Sequence, residues 1–407
     1  MSSRRDFLAT SSTLAAAGLL TAIPESTKGF YAGDAIRVGC IGTGGRCRKL
    51  MESLRTIPGV KITALCDVWD YSLDLAKKLA EPDSFTTRHF EDLLAKKEID
   101  AVLIGSPDHW HVPLTIAACA AGKDVYVEKP LTHDLSEGAA VIKAQNDHKR
   151  IVQVGMQQRS MPHIQKGYEI VKSGQLGKIH KVHLTWNRNT DRVKKPNLTI
   201  DPKSVDWKRW LGNAPDQPFE PYRLSGGNWR WFWDFGGGIF TDLMVHFLDV
   251  AHWYLDLDHP TSAVSIGDQF TSQGVWETPD TVQTLMRYPD QETQVYFEGT
   301  FVSARNAAMA EFMGTEATLY IDRGRYEIIP ERRSKLKASE LILGDGPRGA
   351  DFYPQPDGEL LHLTNWIDSI RTRKKPRCPA EDGVSAASAA HLANQALRSN
   401  QTAMWKE

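Results

Sequence analysis

The chain has 407 residues, enough for two domains with separate cores. Its composition is that of a globular protein, with 41% hydrophobic residues, 24% charged residues and a formal net charge of −1. A charge so near zero gives no reason to expect a nucleic-acid partner or electrostatic binding to an anionic membrane. The scattered cysteines, which show no metal-ligand spacing, are interpreted as small core residues. They are Cys40, Cys47, Cys66, Cys119 and Cys378.

The N-terminus carries a targeting pattern. Ser3-Arg4-Arg5-Asp6-Phe7-Leu8 is followed by a mildly apolar run from Leu14 to Ile23, which Pro24 closes. This order resembles a twin-arginine export signal, so we assign residues 1–33 to a signal and linker and expect a periplasmic protein. A disordered or helical tail is the alternative. An uncleaved, membrane-tethered form also stays open, because no obvious small-x-small cleavage site follows the run.

A glycine-rich turn follows the first predicted strand, which begins at Ile36. After the turn, the pattern predicts a helix to about Arg55 and a second strand that ends in Asp67, 25 residues beyond Gly42. This is the layout of a dinucleotide-binding unit, in which glycines let the backbone approach the pyrophosphate and the acid bonds the adenosine ribose. With Asp67, the candidate cofactor residues are Gly42, Thr43, Gly44, Gly45 and Arg46.

The glycine pattern departs from the usual one at its third position, which is Cys47. Cysteine is small, so we expect the helix to pack against the strand as usual. Asp67 would repel a 2′-phosphate, and the residues that follow it, Val68-Trp69-Asp70, include no arginine to bind one. NAD is therefore predicted in preference to NADP.

Strands and helices continue to alternate through the first domain, which we place at residues 34–155. The alternation predicts a parallel, doubly wound sheet. A loop from Ser106 to His111 leaves its strand on the same edge as the glycine turn. Ser106, His109 and His111 are therefore candidates for contact with cofactor or substrate, and simple loop polarity is the alternative.

The next strand, Asp124 to Val127, ends on Glu128-Lys129-Pro130. Pro130 keeps Lys129 out of a helix and fixes it in an extended or turn conformation at the sheet edge. That edge is where open α/β sheets bind ligands. Taken alone, the motif is equally typical of a surface Lys–Glu pair beside a turn.

The pattern changes in the second domain, placed at residues 156–360. After a helix from His163 to Ser173 come alternating strands without helices between them, which predicts a mostly antiparallel sheet with one open face. Such a face is commonly covered by a second copy, so a homodimer or homotetramer is expected. Residues 332–349 read as a basic loop, and residues 361–407 as C-terminal helices that return toward the cleft. The predicted strands are 179–187, 262–270, 281–288, 294–302, 308–313, 317–322 and 326–329.

An aromatic segment, Asn228 to Phe235, runs through three glycines into a predicted amphipathic helix. On that helix Asp242 and His246 are four residues apart and share a face. A carboxylate beside an imidazole can orient it and move its pKa toward neutrality, as a general base requires. An exposed Asp–His pair is the alternative. The aromatic rings suit either core packing or stacking on a sugar.

Together these motifs, across residues 36 to 400, resemble the Gfo/Idh/MocA oxidoreductase family. The resemblance implies a Rossmann domain followed by an α/β domain with an open antiparallel sheet. It also implies that Lys129, Asp242 and His246 form the catalytic triad and that Glu128 and Gln157 border the cofactor. Residues implied to line the substrate pocket are Gln157, Arg159, Trp229, Arg230 and Trp231.

These assignments predict an NAD-dependent oxidoreductase that acts on a hydroxyl of a sugar, polyol or glycoside. His246 would take the hydroxyl proton, Asp242 would orient His246, and Lys129 would hold the substrate oxygen. Free NAD is expected to be scarce outside the cytoplasm, so a tightly held, internally recycled cofactor is predicted. A redox-neutral NAD-dependent glycosidase or lyase is the alternative, and a non-catalytic sugar sensor is a third hypothesis.

Overall fold

The computed structural model describes residues 35–189, 199–343, 346–350 and 357–406. The twin-arginine motif and the apolar run after it lie outside these residues. Within them, no helix combines the length and the hydrophobicity needed to cross a membrane.

The first sheet is parallel throughout and has the strand order β3-β2-β1-β4-β5-β6. This is the order of a doubly wound dinucleotide-binding fold, and it confirms the predicted fold class. The order reverses between β1 and β4, which leaves a crevice at the carboxyl ends of these two strands. The strands are β1 (Ile36–Ile41), β2 (Val60–Cys66), β3 (Phe85–Thr87), β4 (Ala101–Ile104), β5 (Asp124–Val127) and β6 (Val152–Val154).

Helices cover both faces of this sheet, which explains why its central strands are continuously apolar. All residues of β4 and β5 are buried, as expected for parallel strands that are packed on two sides. All five cysteines are buried free thiols. The helices are α1 (Gly45–Leu54), α2 (Asp70–Lys77), α3 (Phe90–Leu94), α4 (His111–Ala120) and α5 (Gly138–Asp147).

The second sheet has nine strands within the described residues, in the order β14-β13-β12-β11-β7-β10-β9-β8-β15. It is antiparallel as predicted, except that β7 and β10 pair in parallel. Burial alternates residue by residue along β9, so one face packs on the core and the other is open. The strands are β7 (Ile179–Asn187), β8 (Ser262–Asp268), β9 (Thr281–Tyr288), β10 (Thr293–Thr300), β11 (Ala308–Gly314), β12 (Ala317–Ile321), β13 (Arg325–Pro330), β14 (Ser339–Ile342) and β15 (Ala403–Met404).

Two features of this domain differ from the sequence prediction. The segment interpreted as a basic loop contains β14, a four-residue strand of mostly exposed residues that is held by backbone pairing with β13. The connection after β7 contains two unpredicted helices of a single turn each. The helices of the second domain are α6 (Pro162–Lys172), α7 (Trp207–Leu211), α8 (Pro221–Leu224), α9 (Val245–Leu255), α10 (Gly358–Thr372) and α11 (Ala380–Ser399).

The last two long helices join the domains. Helix α10 starts at an Asp357 cap, whose side chain accepts from the Leu360 amide, and it buries Trp366 beside Tyr126 of the first sheet. Helix α11 reaches the loops at the sheet edge, because the Asn394 amide donates to the carbonyl oxygen of Gly237. The C-terminal helices therefore hold the two halves of the crevice in register.

Candidate active site

Lys129 lies at the end of β5 and is buried, with 7% of its surface exposed. Its peptide bond to Pro130 is cis, so the chain turns sharply as it leaves the strand. The Lys129 Nζ donates to Oδ1 of Asp242 at 2.8 Å and to the main-chain oxygen of the same residue at 2.6 Å. The lysine therefore reaches across to the second domain, and the surface-pair interpretation of the motif is wrong.

The partner carboxylate lies in an irregular turn. Residues Phe240–Met244 form one π-helical turn ahead of α9, in which the Val245 amide donates to the Phe240 carbonyl five residues back. Asp242 is inside this wide turn, and His246 follows in the first turn of α9. The sequence spacing had predicted a regular α-helix. Single π turns of this kind occur frequently at functional sites.

A second cation shares the carboxylate of Asp242. The Arg230 Nε donates to Oδ1 of Asp242 at 2.9 Å, and the guanidinium stacks over the ring of Trp229 at 4.1 Å. Asp242 therefore joins Lys129 to Arg230. This arrangement fixes the position of all three side chains at the mouth of the crevice.

His246 is neutral at physiological pH. Its imidazole is buried, 8% exposed, and its ring lies 5.2 Å from that of Trp186. Burial, reinforced by the positive charges of Lys129 and Arg323, holds the pKa of His246 well below its ordinary value, although Asp242 acts in the opposite direction. Asp242 thus raises the pKa of His246 as expected, but its effect is smaller than the combined effect of burial and the cations. The ring Nδ1 is buried and has no hydrogen-bond partner among the described residues.

A network of charged side chains from α1, α10 and the end of β5 holds the segment that carries Lys129. The Arg46 Nε donates to Glu128 at 3.0 Å, and its terminal nitrogen bonds to Glu359 at 2.5 Å. The side chain of Gln157 also lies against Glu128, at 3.4 Å. Predicted as cofactor residues, Arg46, Glu128 and Gln157 thus form one network that holds Lys129 in place.

The glycine turn connects β1 to α1 as predicted. Gly42 has a left-handed φ of +74°, and a Cβ there would lie 2.6 Å from the backbone of Ser106. A Cβ on Gly44 would meet no described atom within 4 Å, so this side of the turn is open to a ligand. The Thr43 hydroxyl does not face that space, because it donates to Asp67 at 3.1 Å.

The unusual Cys47 is accommodated by the neighbouring strand. A Cβ on Gly105, at the end of β4, would lie 2.7 Å from the Cβ of Cys47. Here the glycine needed for close packing of helix and sheet is on β4 and not on α1. The expectation that a small side chain preserves this packing is confirmed.

Asp67 lies at the end of β2 and accepts hydrogen bonds from Thr43 and from the Trp69 amide at 2.9 Å. Burial raises its pKa to about 6, although these bonds and the nearby Arg48 act to lower it. Its carboxylate lines a cleft beside the glycine turn. Residues of both domains line the cleft, including Gly42, Gly44, Asp67, Ser106, Trp69, Trp110, Arg209, Trp210 and Trp229.

The residues present fit a nicotinamide dinucleotide. The turn is open at Gly44, a ribose-binding acid lies at Asp67, and the buried hydroxyl of Ser106 has no partner within the described chain. Asp67 and Lys129 follow strands on opposite sides of the point between β1 and β4 where the strand order reverses. Within the described ranges, no group of three or more His, Cys, Asp or Glu side chains could hold a metal ion.

His109 and His111, which the sequence predicts to contact cofactor or substrate, have ring nitrogens that lie against backbone oxygens. The two ring nitrogens of His111 lie 2.6 Å from the Pro130 oxygen and 3.0 Å from the Ser106 oxygen. Burial lowers the pKa of His111 to about 4, so a neutral ring donates to one of them and braces the loop against the Lys129 turn. His109 lies 3.2 Å from the Trp210 oxygen and is buried against Phe235. The structure places both histidines against backbone oxygens, where they hold the loop in position. Their contact with cofactor or substrate stays a prediction.

Two predicted substrate residues are also corrected. Trp231 is 2% exposed and stacks on Trp276 at 4.3 Å, inside the core, where its ring cannot receive a sugar. Arg159 is buried and forms a two-pronged ion pair with Asp249, and it also bonds to Asp382. It lines a separate cavity with His252 and Trp253, residues that take no part in the Lys129 site.

Sequence reasoning missed three side chains near the site. Asp108 is buried, and burial raises its pKa well above the ordinary value despite the nearby charges of Arg230 and Lys129. It belongs to the loop already singled out, so its sequence position was a usable signal. Trp186, which lies beside His246, belongs to β7, and Trp210, which lines the cleft, belongs to α7. Both are distant in sequence from the predicted motifs. Only the fold brings them to the site.

Comparison with known proteins agrees with this geometry. The sequence model of the Gfo/Idh/MocA oxidoreductase family, NAD-binding Rossmann fold, matches residues 36–156. The model of the C-terminal alpha/beta domain of the same family matches residues 169–404. The chain belongs to the Gfo/Idh/MocA family. The resemblance drawn from the Lys129 and His246 motifs is thereby confirmed at the level of the family.

Individual Gfo/Idh/MocA relatives are distant. A myo-inositol 2-dehydrogenase of Thermotoga maritima is 23% identical, over 91% of this chain and 99% of its own. A glycosyl hydrolase family 109 protein of Solibacter usitatus is 33% identical, over 33% of this chain and 34% of its own. Levoglucosan dehydrogenase, solved with NADH and levoglucosan, superposes with a TM-score of 0.72 at 17% identity, over 91% and 100% of the two chains. At that identity the similarity shows the fold alone.

Proposed function

We propose that the protein is an NAD-dependent oxidoreductase that acts on a secondary hydroxyl of a sugar, polyol or glycoside. The proposal rests on the combination of a buried Lys129–Asp242 ion pair and a neutral His246 in one site. These groups lie at the carboxyl edge of a sheet whose crevice fits a dinucleotide. The name of a distant relative, a myo-inositol 2-dehydrogenase, supports a sugar-like or polyol substrate.

The chain's own residues would handle the proton and the oxygen of the substrate. NAD, when bound, supplies the capacity to accept and return a hydride. His246 can accept a hydroxyl proton, because burial and nearby positive charges hold its pKa well below the ordinary value and keep its imidazole neutral. Lys129 can donate to the same oxygen and stabilise its developing negative charge. Asp242 and Arg230 hold the lysine in the required position.

NAD is proposed in preference to NADP. Two arginines that the sequence did not place near the ribose do line the cleft, Arg88 and Arg209. Both are already paired: Arg88 with Asp70 through two bonds of 2.9 and 2.5 Å, and Arg209 with Glu91 at 2.9 and 3.0 Å. A guanidinium that is neutralised by a carboxylate is poorly suited to bind a 2′-phosphate.

A redox-neutral glycosidase or lyase is the second candidate, favoured by the similarity to family 109 glycosyl hydrolases. In such a reaction the hydroxyl carbon is oxidised transiently to a ketone, which acidifies the neighbouring C–H bond. Loss of that proton expels the glycosidic oxygen and leaves a carbon–carbon double bond conjugated to the ketone. Water then adds across this bond in a glycosidase, whereas the bond remains in the product of a lyase. The returned hydride and a proton finally reduce the ketone to the hydroxyl. The net change is cleavage of the glycoside, and the cofactor ends as it began.

Export by the twin-arginine route is proposed from Arg4-Arg5 and the apolar run after them. Because free NAD is expected to be scarce in the periplasm, the proposal includes a cofactor that stays bound and is reoxidised on the enzyme. Replacing Arg4-Arg5 by two lysines and following the protein in cell fractions tests the route. Retention of the variant in the cytoplasm is the expected result, and unchanged periplasmic delivery would contradict it.

A homodimer or homotetramer is proposed from the open face of the second sheet. Apolar side chains on neighbouring strands are exposed there, Val264 at 53%, Ile266 at 63% and Leu285 at 40%. A continuous apolar patch of this kind is unusual on a monomer. Light scattering on the purified protein measures the mass directly, and a monomer of 45.6 kDa would contradict the proposal.

The nature of the reaction is tested with NAD-loaded protein and a panel of sugars, polyols and aryl glycosides. A rise in absorbance at the NADH wavelength on adding a sugar or polyol identifies an oxidoreductase. Release of the aryl group without net NADH identifies the redox-neutral reaction. A ligand that binds, as seen by calorimetry, but gives neither signal would show a sugar sensor and overturn both enzymatic proposals.

A further inference from the structure

Residues 199–214, which follow β7 in sequence, contact loops of the nucleotide-binding domain. We call residues 199–214 the cleft wall; it contains α7 and belongs in sequence to the second domain. The Asp206 amide donates to the Val68 oxygen at 2.9 Å, and Val205 pairs with Trp69 as a single antiparallel bridge. The wall is thus joined to the loop that carries Asp67, at the end of β2.

Two further attachments hold the wall at the neighbouring strand ends. Arg209 forms its ion pair with Glu91, on the first turn of α3. The indole Nε1 of Trp110 donates to the Trp210 oxygen at 2.9 Å, which His109 also approaches. The attachments therefore follow β2, β3 and β4 in turn, along the rim of the crevice on the Asp67 side.

The space enclosed by the wall suits the adenosine half of a dinucleotide. One side carries the glycine turn and Asp67, and the opposite side carries Arg209 and Trp210. Trp69, Phe90 and Trp110 add flat apolar surface between them. A planar base with a ribose hydroxyl matches this combination of aromatic surface and a single buried acid.

We propose that residues 199–214 form the outer wall of the adenosine site and control release of the cofactor. The inference rests on the proposed function, in which the cleft binds NAD. A nucleotide beneath the wall can leave only after the wall separates from the loops at Val68, Glu91 and Trp110. The cofactor then stays bound through many turnovers, as a self-recycling enzyme requires.

The wall is tested by weakening its attachments from outside the cleft. Glu91→Gln removes the charge that pairs with Arg209, and Glu91 does not line the cleft. The matched control is Glu98→Gln, a glutamate of the same domain whose side chain pairs with Lys96 at 3.6 Å and is likewise half-exposed. A double variant, Glu91→Gln with Trp110→Phe, also removes the indole donor while keeping an aromatic ring. Because Trp110 itself lines the cleft, Trp110→Phe alone is the reference for any effect of the changed ring.

The measurement is dissociation of labelled NAD from the full chain in an excess of unlabelled NAD, followed by rapid gel filtration. In the wild type we expect label to remain for hours. An exposed ion pair contributes about 0.2–1 kcal/mol, so release should quicken about threefold in Glu91→Gln and about tenfold or more in the double variant. Glu98→Gln should match the wild type.

Two results would overturn the inference: loss of label from the wild type within seconds, or wild-type release rates in both Glu91 variants. Thermal unfolding of each variant establishes that it is folded. No sugar is present in this assay, so its outcome is independent of the reaction catalysed. A protein that retains NAD behind the wall but turns over no sugar would contradict only the proposed function.

Discussion

The ammonium group of Lys129 lies 2.8 Å from the carboxylate of Asp242, across the boundary between the two domains. A strand end of the first domain is thereby tied to a π turn of the second. Because the lysine also donates to the Asp242 main-chain oxygen, its position depends on the shape of that turn as well as on charge. The consequence is that the substrate-facing groups are preorganised before any substrate arrives.

Replacing Lys129 by Met should lower turnover about 10²- to 10³-fold, the loss typical of removing one oxyanion-stabilising donor. The matched control is Lys123→Met at the other end of β5, a buried lysine that donates to the oxygens of Lys96 and Ile99. That variant should lose stability and keep its turnover at low temperature. Equal turnover losses in the two variants would show that Lys129 has only a structural role.

His246→Gln should lower turnover about 10²- to 10⁴-fold, because a general base is lost. NAD loading of the purified variant, measured from its absorbance, should be unchanged. His252→Gln is the control on the same helix, since His252 is buried but bonds to Ser385 and Tyr288. Loss of NAD with normal chemistry in the loaded fraction of His246→Gln would contradict the assignment.

NAD binding should strengthen as pH rises through about 6, the pKa to which burial raises Asp67. Above this pH the group is a carboxylate, which accepts a ribose hydroxyl more strongly than the protonated acid does. The nearby guanidinium of Arg48 acts to lower the pKa of Asp67, against the effect of burial. Calorimetric titration between pH 5 and 8 should show the rise in the wild type, and Asp67→Asn should abolish it. An identical slope in Asp67→Asn would assign the pH dependence to another group.

Arg159→Met should destabilise the fold by about 3–5 kcal/mol, because it leaves the fully buried Asp249 without its partner. A double variant, Arg159→Met with Asp249→Leu, should recover a large part of the lost stability. The KM of the folded enzyme should not change in either variant. Denaturant unfolding and steady-state kinetics distinguish this structural role of Arg159 from the substrate role predicted from sequence. If Arg159 binds substrate, Arg159→Met should raise KM and leave the stability unchanged.

Gly105→Ala should destabilise the first domain by about 1–3 kcal/mol, the cost of overpacking, because the new Cβ would lie 2.7 Å from that of Cys47. Adding Cys47→Gly should restore much of the stability, since it moves the glycine back to α1. Cys47→Gly alone provides the reference. Additive losses in the double variant, seen by thermal unfolding, would show that the two positions are not coupled.

The π turn at Phe240–Met244 and the lowered pKa of His246 could not be predicted from the spacing of Asp242 and His246 in the sequence. Asp242 and His246 are four residues apart in any helix, but whether the turn between them is regular depends on what packs around Phe240 and on the lysine that reaches Asp242. Likewise, an imidazole beside a carboxylate is expected to gain basicity. In this protein burial and three cations, Lys129, Arg323 and Arg46, outweigh the single carboxylate, and both effects come from distant parts of the chain.

The sequence by itself determined the alternation of strands and helices, the glycine turn, Asp67 and the strand that ends at Lys129. These are local properties, set by hydrophobic period, backbone freedom at glycine and the conformational limits of proline. The tertiary structure alone decided that Lys129 meets Asp242, that Arg159 and Trp231 belong to the interior, and that residues 199–214 border the cofactor cleft. Those outcomes depend on long-range packing and on the balance between burial and charge, which residue types and spacing do not encode locally.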